Sequence, residues 1–550
     1  MSAAGSEPVL VIDRLCVDLP PWAERPRAVD DVSLELRQDE ILCVVGESGS
    51  GKSVMARAIL GLFPSRHVKP SGGRVLYRGE DLLTAPPARL RELRGSRIAM
   101  IFQEPMTALN PVLTLGRQIE EAIEIHRATP RAQRRRRVLD MLAAVHLPDP
   151  ARIFDAYPHQ VSGGQRQRAM IAMALTLEPD VLIADEPTTA LDVTTQAQIL
   201  ALIREIQAAR RMAVLFITHD FGVVAEIADR ITVMQRGRLV EQGDRAIVLQ
   251  SPSNSYTETL LAAVPDLVPR RPRENLSGDI AMRVRGLHKT FRGGGILSAG
   301  NARLVHAVND VTFDIGRGET LGIVGESGSG KSTLARCIAR LVQPDAGEIR
   351  IGELDFGRLA HGALRRARKR VQMVFQDPYG SLDPRRTVGS LIAEGPIVHG
   401  VAASAAWERA LQLLELVGLD SRAGERYPHE FSGGQRQRIG LARALALEPQ
   451  VLIADEPVSA LDVSVQAQVL RLLADIRERL HLTVLFITHD LRVAAQVCDS
   501  TAVMRHGEIV EYGPTAQLFT APRHAYTREL LAAVPGRAWS EQRASARSTA

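Results

Sequence analysis

Four cysteines in 550 residues leave little material for a disulfide framework or a thiolate metal site. Cys16, Cys43, Cys337 and Cys498 include no CxxC pair, and none stands near a histidine at zinc spacing. They read as small core residues, and nothing in them asks for an oxidising compartment. Long apolar runs are missing as well. No stretch approaches the roughly 20 residues that a spanning helix needs; runs such as VLIA and AVLFI have buried-strand length. The opening MSAAGSEPVLVIDRL has no basic segment followed by an apolar one, so no signal peptide is expected. The chain is expected in the cytosol, with any membrane role reached through partners. Neither sign of charge dominates: a net charge of +5 fits a nucleotide, an anionic membrane surface or RNA and selects none of them. At 45% hydrophobic and 24% charged residues the composition is that of a soluble globular protein. At about 150 residues per domain, the length implies two to four domains.

What the chain does have, it has twice. GESGSGKS at 46–53 returns as GESGSGKST at 325–333, and SGGQRQR, LIADEP, VLFITHD and LLAAVP each occur in both halves in the same order. A period this long is two copies of one domain and not a solenoid. The expected organisation is a first domain at 1–265, a linker at 266–279, a second domain at 280–535 and a flexible tail at 536–550. The linker DLVPRRPRENLSGD is rich in proline and charge, and spans at most roughly 50 Å when extended. The tail GRAWSEQRASARSTA is polar and expected to fray. In each copy an alternating segment and a second strand lead to a buried strand, a glycine loop and a helix. A helix-rich middle follows, then two buried parallel strands, VLIAD and VLFI. The fold class is α/β, with an antiparallel edge and a helical insertion.

ILCVVGESGSGKS reads as strand, GxxxxGK[ST] and helix. Gly46, Gly49 and Gly51 let backbone amides converge on phosphate oxygens, at a helix N-terminus that favours anions. Ser48 lies between them, Lys52 can reach the outer phosphates, and Ser53 can place a hydroxyl on Mg²⁺. The second copy supplies Gly325, Ser327, Gly328, Gly330, Lys331, Ser332 and Thr333. A phosphate loop needs an acid to position its metal, and the strand VLIAD ends in Asp185 in one copy and Asp455 in the other. The adjacent Glu186 and Glu456 can polarise an attacking water.

Glycine loop, Asp-Glu pair and SGGQ together resemble the ATP-binding cassette (ABC) ATPase family over almost the whole chain, twice. The resemblance implies two tandem P-loop nucleotide-binding domains, each with a RecA-like α/β core, an antiparallel β edge and a helical subdomain. VSGGQ at 161–165 and FSGGQ at 431–435 resemble the family signature, changed at the first position only; Ser162, Gly164, Gln165, Ser432, Gly434 and Gln435 are the implied nucleotide contacts. Gln103 and Gln376 resemble the loop glutamine that senses Mg²⁺ and couples to partner subunits. Asp192 and Asp462 end the TALD and SALD segments that resemble the D-loop. His219 and His489 resemble the switch histidine at the γ-phosphate. The catalytic set implied is Glu186, Glu456, His219 and His489, with Ser53, Gln103, Asp185, Ser332, Gln376 and Asp455 on the metal. The family also pairs two cassettes, each ATP held by the glycine loop of one and the signature of the other, which would explain the duplication. All catalytic positions are filled in both copies, so two competent sites are expected. The family's adenine-stacking aromatic is matched by Phe291; the aligned residue in the first copy is Leu19, with Trp22 close by.

FQEPMTALNP and FQDPYGSLDP, YPHQ and YPHE, and the segments SPSNSYTETLLAAVP and APRHAYTRELLAAVP narrow the resemblance to bacterial oligopeptide and dipeptide importer ATPases, with both subunits fused. This implies ATP and Mg²⁺, two membrane permease subunits, an extracytoplasmic binding protein, a peripheral place on the cytoplasmic face of the inner membrane, and no nucleic-acid partner. The solute is expected to be a dipeptide, an oligopeptide or a peptide-like molecule such as glutathione; a nickel chelate and a peptide antibiotic are alternatives. The C-terminal cysteine cluster of some such subunits is missing, so no iron–sulfur centre is expected. A soluble tandem cassette acting on ribosomes is the rival; it usually carries a long helical linker, which 266–279 is not. The basic runs RAQRRRR (131–137) and RRARKR (365–370) read as solvated helix faces or as contacts for anionic headgroups.

Overall fold

The computed structural model describes residues 7–103, 108–189, 191–270, 273, 278–293, 303–377, 380–459 and 461–549. Parts of FQEPMTALNP, FQDPYGSLDP and the linker lie outside the described residues. The chain divides into two compact units, Met1–Leu191 with Thr195–Val264, and Asp192–Thr194 with Pro265–Ala550.

Among the described residues the first unit holds ten strands: β1 (Pro8–Asp18), β2 (Arg27–Arg37), β3 (Ile41–Val45), β4 (Lys69–Tyr77), β5 (Glu80–Asp81), β6 (Ile98–Ile101), β7 (Val181–Asp185), β8 (Ala213–Ile217), β9 (Arg230–Gln235) and β10 (Arg238–Asp244). They make an antiparallel sheet ordered β2-β1-β4-β5 and a six-stranded sheet ordered β10-β9-β3-β8-β7-β6. β3, β7 and β8 are buried along their whole length, which is why they read as unbroken apolar runs and pair in parallel. β1 alternates, with Leu10, Ile12, Leu15 and Val17 turned inward. Those side chains meet Met55, Ala56 and Ile59 of the helix Lys52–Ile59 in one apolar cluster. The layer between the two sheets is therefore filled by the helix that follows the glycine loop, and this fixes the loop over the ends of β3, β7 and β8.

The second unit repeats the plan with β11 (Ile280–Gly293), β12 (Arg303–Gly316), β13 (Thr320–Val324), β14 (Ala346–Ile351), β15 (Leu354–Asp355), β16 (Val371–Val374), β17 (Val451–Asp455), β18 (Thr483–Ile487), β19 (Ser500–Arg505) and β20 (Glu508–Pro514). Its sheets run β12-β11-β14-β15 and β16-β17-β18-β13-β19-β20. The helical insertion comprises Leu115–His126, Arg131–Ala144, Pro150–Asp155 and Gly163–Leu175 in the first unit, and Val388–Val398, Ala403–Leu416 and Gly433–Leu445 in the second. Among the described residues no helix is long and apolar enough to cross a membrane.

Two charged segments are more committed than their composition suggests. In 131–137, Arg134 donates to the Thr129 carbonyl at 2.7 Å, Arg137 to the Thr176 carbonyl at 2.8 Å, and Arg135 stacks 4.2 Å from the Phe154 ring. Much of that run stitches the insertion together. The segment read from the sequence as a flexible tail contains a helix, Arg537–Thr549. Trp539 is buried, and Arg543 lies 4.6 Å from its ring, so an aromatic anchor holds a segment that polarity alone would leave frayed. Described linker residues are also anchored on the second unit. Gln496 donates to Asp266, Arg270 donates through its backbone to the Ala495 carbonyl, and Arg270 and Arg273 both grip Asp499.

Candidate active site

The glycine loops leave β3 and β13 and enter the helices Lys52–Ile59 and Lys331–Ile338. Gly51 and Gly330, the residues before those helices, sit at φ 104° and 105°. A Cβ on Gly51 would lie 2.3 Å from the Ala28 carbonyl oxygen, and on Gly330 2.0 Å from that of Ala307. Only glycine can bring the chain so close to the antiparallel sheet and still turn into a helix. The loop amides and the helix N-terminus are thereby presented together, as phosphate binding requires. Ser48 and Ser327 are exposed at the loop surface, and Thr333 is half-buried one residue beyond Ser332.

Lys52 is buried, and its Nζ donates to the Gly46 carbonyl (2.7 Å), the Glu47 carbonyl (2.9 Å) and Ser50 Oγ (3.4 Å). Lys331 repeats this with Gly325 (2.7 Å), Glu326 (2.8 Å) and Ser329 (3.5 Å). Burial pulls the Lys331 ammonium below its ordinary range, and the nearby Glu456 and Asp455 carboxylates oppose this. Ser53 Oγ donates to Asp185 Oδ1 at 2.9 Å, and Ser332 Oγ to Asp455 Oδ1 at 3.1 Å. Burial raises both aspartates, with the serine hydrogen bonds acting against it. The second oxygen of Asp185 is buried with no hydrogen-bond partner among the described residues. A hydroxyl beside an unsatisfied carboxylate oxygen is the hard donor set that Mg²⁺ takes, so these residues fit the ion.

β7 and β17 end at those aspartates, and the next residues turn sharply. Glu186 and Glu456 adopt φ 48° and 46°, a left-handed conformation that a β-carbon disfavours. Each is held there by a backbone hydrogen bond to a neighbouring strand, from Glu186 N–H to the Ile217 carbonyl (2.9 Å) and from Glu456 N–H to the Ile487 carbonyl (3.0 Å). The turn brings Gln103 and His219 to one carboxylate. Gln103 Nε2 donates to Glu186 Oε2 at 3.0 Å, and His219 Nδ1 lies 3.4 Å from the same oxygen. In the second unit Gln376 Nε2 is 2.9 Å and His489 Nδ1 3.1 Å from Glu456 Oε2. Burial would raise both glutamates, but the hydrogen bond and charge of the histidine hold them below their ordinary range. Burial would lower both imidazoles, and the glutamate outweighs it, so they are raised.

The sequence reading missed one contact of this group. Thr189 Oγ1 donates to Glu186 Oε2 at 3.0 Å, whereas the matching Ser459 hydroxyl turns to the Glu456 backbone carbonyl at 3.2 Å. The only hint in the sequence is the difference between EPTTALD and EPVSALD.

Ser162 and Ser432 cap the helices Gly163–Leu175 and Gly433–Leu445. Ser162 Oγ accepts the Gln165 N–H (3.2 Å), and the Gln165 side chain accepts the Ser162 N–H (3.0 Å). The second unit has the same reciprocal pair between Ser432 and Gln435. The two glutamines therefore shape the helix start as capping-box partners. Gly164 and Gly434 pack closely: a Cβ there would meet Thr195 at 2.6 Å and Val465 at 2.2 Å. Asp192 precedes the helix Val193–Arg210, and Asp462 caps Val463–Leu480 by accepting the Val465 N–H at 3.1 Å. Gly49 and Gly328 face open space. Phe291 is 43% exposed on β11 with Lys289 Nζ 5.4 Å from its ring centroid. Leu19 packs against the core of its unit, and the exposed Trp22 meets the His67 ring edge-on at 5.2 Å.

Known proteins carry the same pattern. A family model described as "ABC transporter" matches residues 29–189 and 308–459, and one described as "Oligopeptide/dipeptide transporter, C-terminal region" matches 240–293 and 510–548. The chain is 47% identical to the glutathione import ATP-binding protein GsiA of Salmonella typhimurium, with 96% of this chain and 90% of that protein covered. It is 46% identical to the peptidoglycan transport ATP-binding protein YejF of Agrobacterium fabrum, with 97% of each covered.

Proposed function

Since the chain belongs to the ABC transporter family, carrying its ATP-binding cassette twice, we propose that it is the ATPase of a bacterial importer for peptides or a peptide-like solute such as glutathione. The observation that carries this reading is the oligopeptide/dipeptide transporter C-terminal region following each cassette. The two similar chains are named for glutathione and for peptidoglycan transport, and both solutes contain peptide.

In this reading the amides of 46–53 and 325–333 hold the phosphates of ATP, with Lys52 and Lys331 neutralising the outer charge. Ser53 with Asp185, and Ser332 with Asp455, would hold Mg²⁺, which supplies charge neutralisation on the phosphates. Glu186 and Glu456 orient and polarise water. Their strained turns and their glutamine and histidine partners keep the carboxylates ionised and aimed. His219 and His489, raised toward the protonated form, offer positive charge at the γ-phosphate. Ser162, Gly164, Ser432 and Gly434 serve the nucleotide through helix N-termini, Asp192 and Asp462 start the helices beyond the catalytic turns, and Phe291 stacks on adenine in the second cassette. With both glutamates, both histidines and both signature cores present, both sites are competent in this reading.

Partner coupling would run through Gln103 and Gln376. Beside Gln376 lies a groove whose apolar floor of Leu341, Val371, Met373, Phe375 and Ala444 is edged by Arg368, Gln372 and Arg443, with Leu341 and Phe375 exposed. Such a groove suits a short helix of a permease, which would place the chain as a peripheral subunit on the cytoplasmic face of the inner membrane. The test is affinity purification of the tagged chain from detergent-solubilised cells. Two polytopic permeases co-purifying, and ATP-dependent uptake of glutathione or a short peptide by vesicles that contain them, are the expected results. Ribosomal proteins without a permease would overturn the reading.

A further inference from the structure

The segments SPSNSYTETLLAAVP and APRHAYTRELLAAVP reach back to the glycine loops. Their helices, Ser255–Ala263 and Ala525–Ala532, each direct one tyrosine there. The Glu47 N–H donates to Tyr256 Oη at 3.4 Å, and the Glu326 N–H to Tyr526 Oη at 3.3 Å. The contact spans 209 residues in one cassette and 200 in the other, and it occurs in both.

Both tyrosines are seated on prepared supports. Asn254 accepts the Tyr256 N–H at 2.9 Å, and His524 Nδ1 accepts the Tyr526 N–H at 3.2 Å. The preceding turns are fastened to buried or half-buried glutamates: Glu241 accepts the Ser253 N–H (2.6 Å) and Asn254 N–H (3.3 Å), and Glu511 accepts those of Arg523 (2.8 Å) and His524 (3.1 Å). Tyr526 is 2% exposed, with the Arg505 guanidinium 4.5 Å from its ring centroid. Burial pushes the Tyr526 phenol well above its ordinary range.

Glu47 and Glu326 are the only acidic residues of their loops. A carboxylate loose in a loop whose amides face phosphate would repel the nucleotide, and the repulsion grows where water is excluded. We propose that Tyr256 and Tyr526 are positioning residues of the ATPase, clasping the glycine loop from the C-terminal element through the backbone N–H of its glutamate, so that the loop is set for phosphate and its carboxylate is kept from swinging toward it. The element that distinguishes this importer subgroup thereby acts on nucleotide affinity. This rests on the reading that the glycine loops hold the phosphates.

The test uses the full-length chain. Tyr256→Phe with Tyr526→Phe keeps both rings and removes only the hydroxyls. KM and equilibrium Kd for MgATP should rise about three- to tenfold, the worth of one net hydrogen bond, with kcat within about twofold and an unchanged melting midpoint. Adding Glu47→Gln and Glu326→Gln should restore most of the affinity, because the freed side chain then carries no charge. Unchanged affinity in the tyrosine variant, or a loss that the glutamine changes do not restore, would overturn the proposal. Lys52→Ala with Lys331→Ala is the reference: if MgATP still binds normally there, the glycine-loop reading itself falls, and the clasp with it.

Discussion

Gln103 Nε2 donates to Glu186 Oε2 at 3.0 Å, across 83 residues of sequence. The same bond recurs at 2.9 Å between Gln376 and Glu456. A loop residue at the edge of the helical insertion thus touches the carboxylate at the end of a core strand. Anything that draws the glutamine away removes one of the hydrogen bonds on that carboxylate and leaves the histidine on it.

The two catalytic carboxylates should contribute alike. Glu186→Gln and Glu456→Gln are each expected to lower phosphate release by similar factors, within about twofold of one another, and the double variant to fall by about 100-fold or more, the scale of general-base removal. ATP binding should persist in all three. Strongly unequal single losses would show that one cassette dominates. The extra Thr189 bond on Glu186 would then be the first difference to exchange.

Removing the Ser53 and Ser332 hydroxyls should act on the metal. In Ser53→Ala with Ser332→Ala, Asp185 and Asp455 lose their hydroxyl partners at 2.9 and 3.1 Å. The Mg²⁺ concentration for half-maximal ATPase is expected to rise by about tenfold, the scale on which loss of a ligand-shell group acts. A Mg²⁺ titration at saturating ATP reads this out. Chelation by EDTA should abolish turnover of the unaltered chain.

Much of this site was legible because its parts are local. Glycine loop, Asp-Glu pair, signature and histidine are short strings, each placed by a strand end or a helix start, and duplication repeated every one. The contacts between them were less visible. Glu47 and Tyr256 stand 209 residues apart, and no periodicity links a phenol to a loop amide. Gln165 also makes a local capping bond with Ser162, which the pattern S-x-x-Q makes legible. The helix Arg537–Thr549 was not legible in the segment's polar composition; the buried Trp539 is a contact that composition does not reveal.

Acid and base should affect the paired histidines in opposite senses. His219 and His489 have raised values and Glu186 and Glu456 lowered ones, so both partners of each pair are ionised between the two. A raised imidazole stabilises the fold fully below its ordinary value and loses that contribution as pH rises through its folded value. The stability gap between the unaltered chain and His219→Gln with His489→Gln should therefore be larger at about pH 6 than at about pH 9. Urea melts at both values check it, and a gap that widened toward alkaline pH would contradict the pairing.

The linker should behave as part of the second cassette. Asp499 is almost fully buried, with Arg270 and Arg273 on its oxygens and the Thr320 N–H on Oδ2 at 2.8 Å. That hydrogen bond ties the carboxylate to the first residue of β13, the strand that delivers the second glycine loop. In Arg270→Ala with Arg273→Ala the carboxylate stays in place without the two guanidiniums that contact it and keeps only the more distant Arg477, which is more damaging than removing the pair altogether. Because both arginines are partly exposed, a loss of about 2–3 kcal/mol is expected, below the range for a fully buried pair. Calorimetry should show a lower transition for the second cassette, shifted by roughly 4–12 °C for a unit of this size, with the first cassette's transition in place. Replacing Asp499 by Asn in the same background should recover part of the loss, since the amide keeps an acceptor for Thr320 and carries no charge. A linker that only tethered two domains would give no shift in either transition, and no recovery.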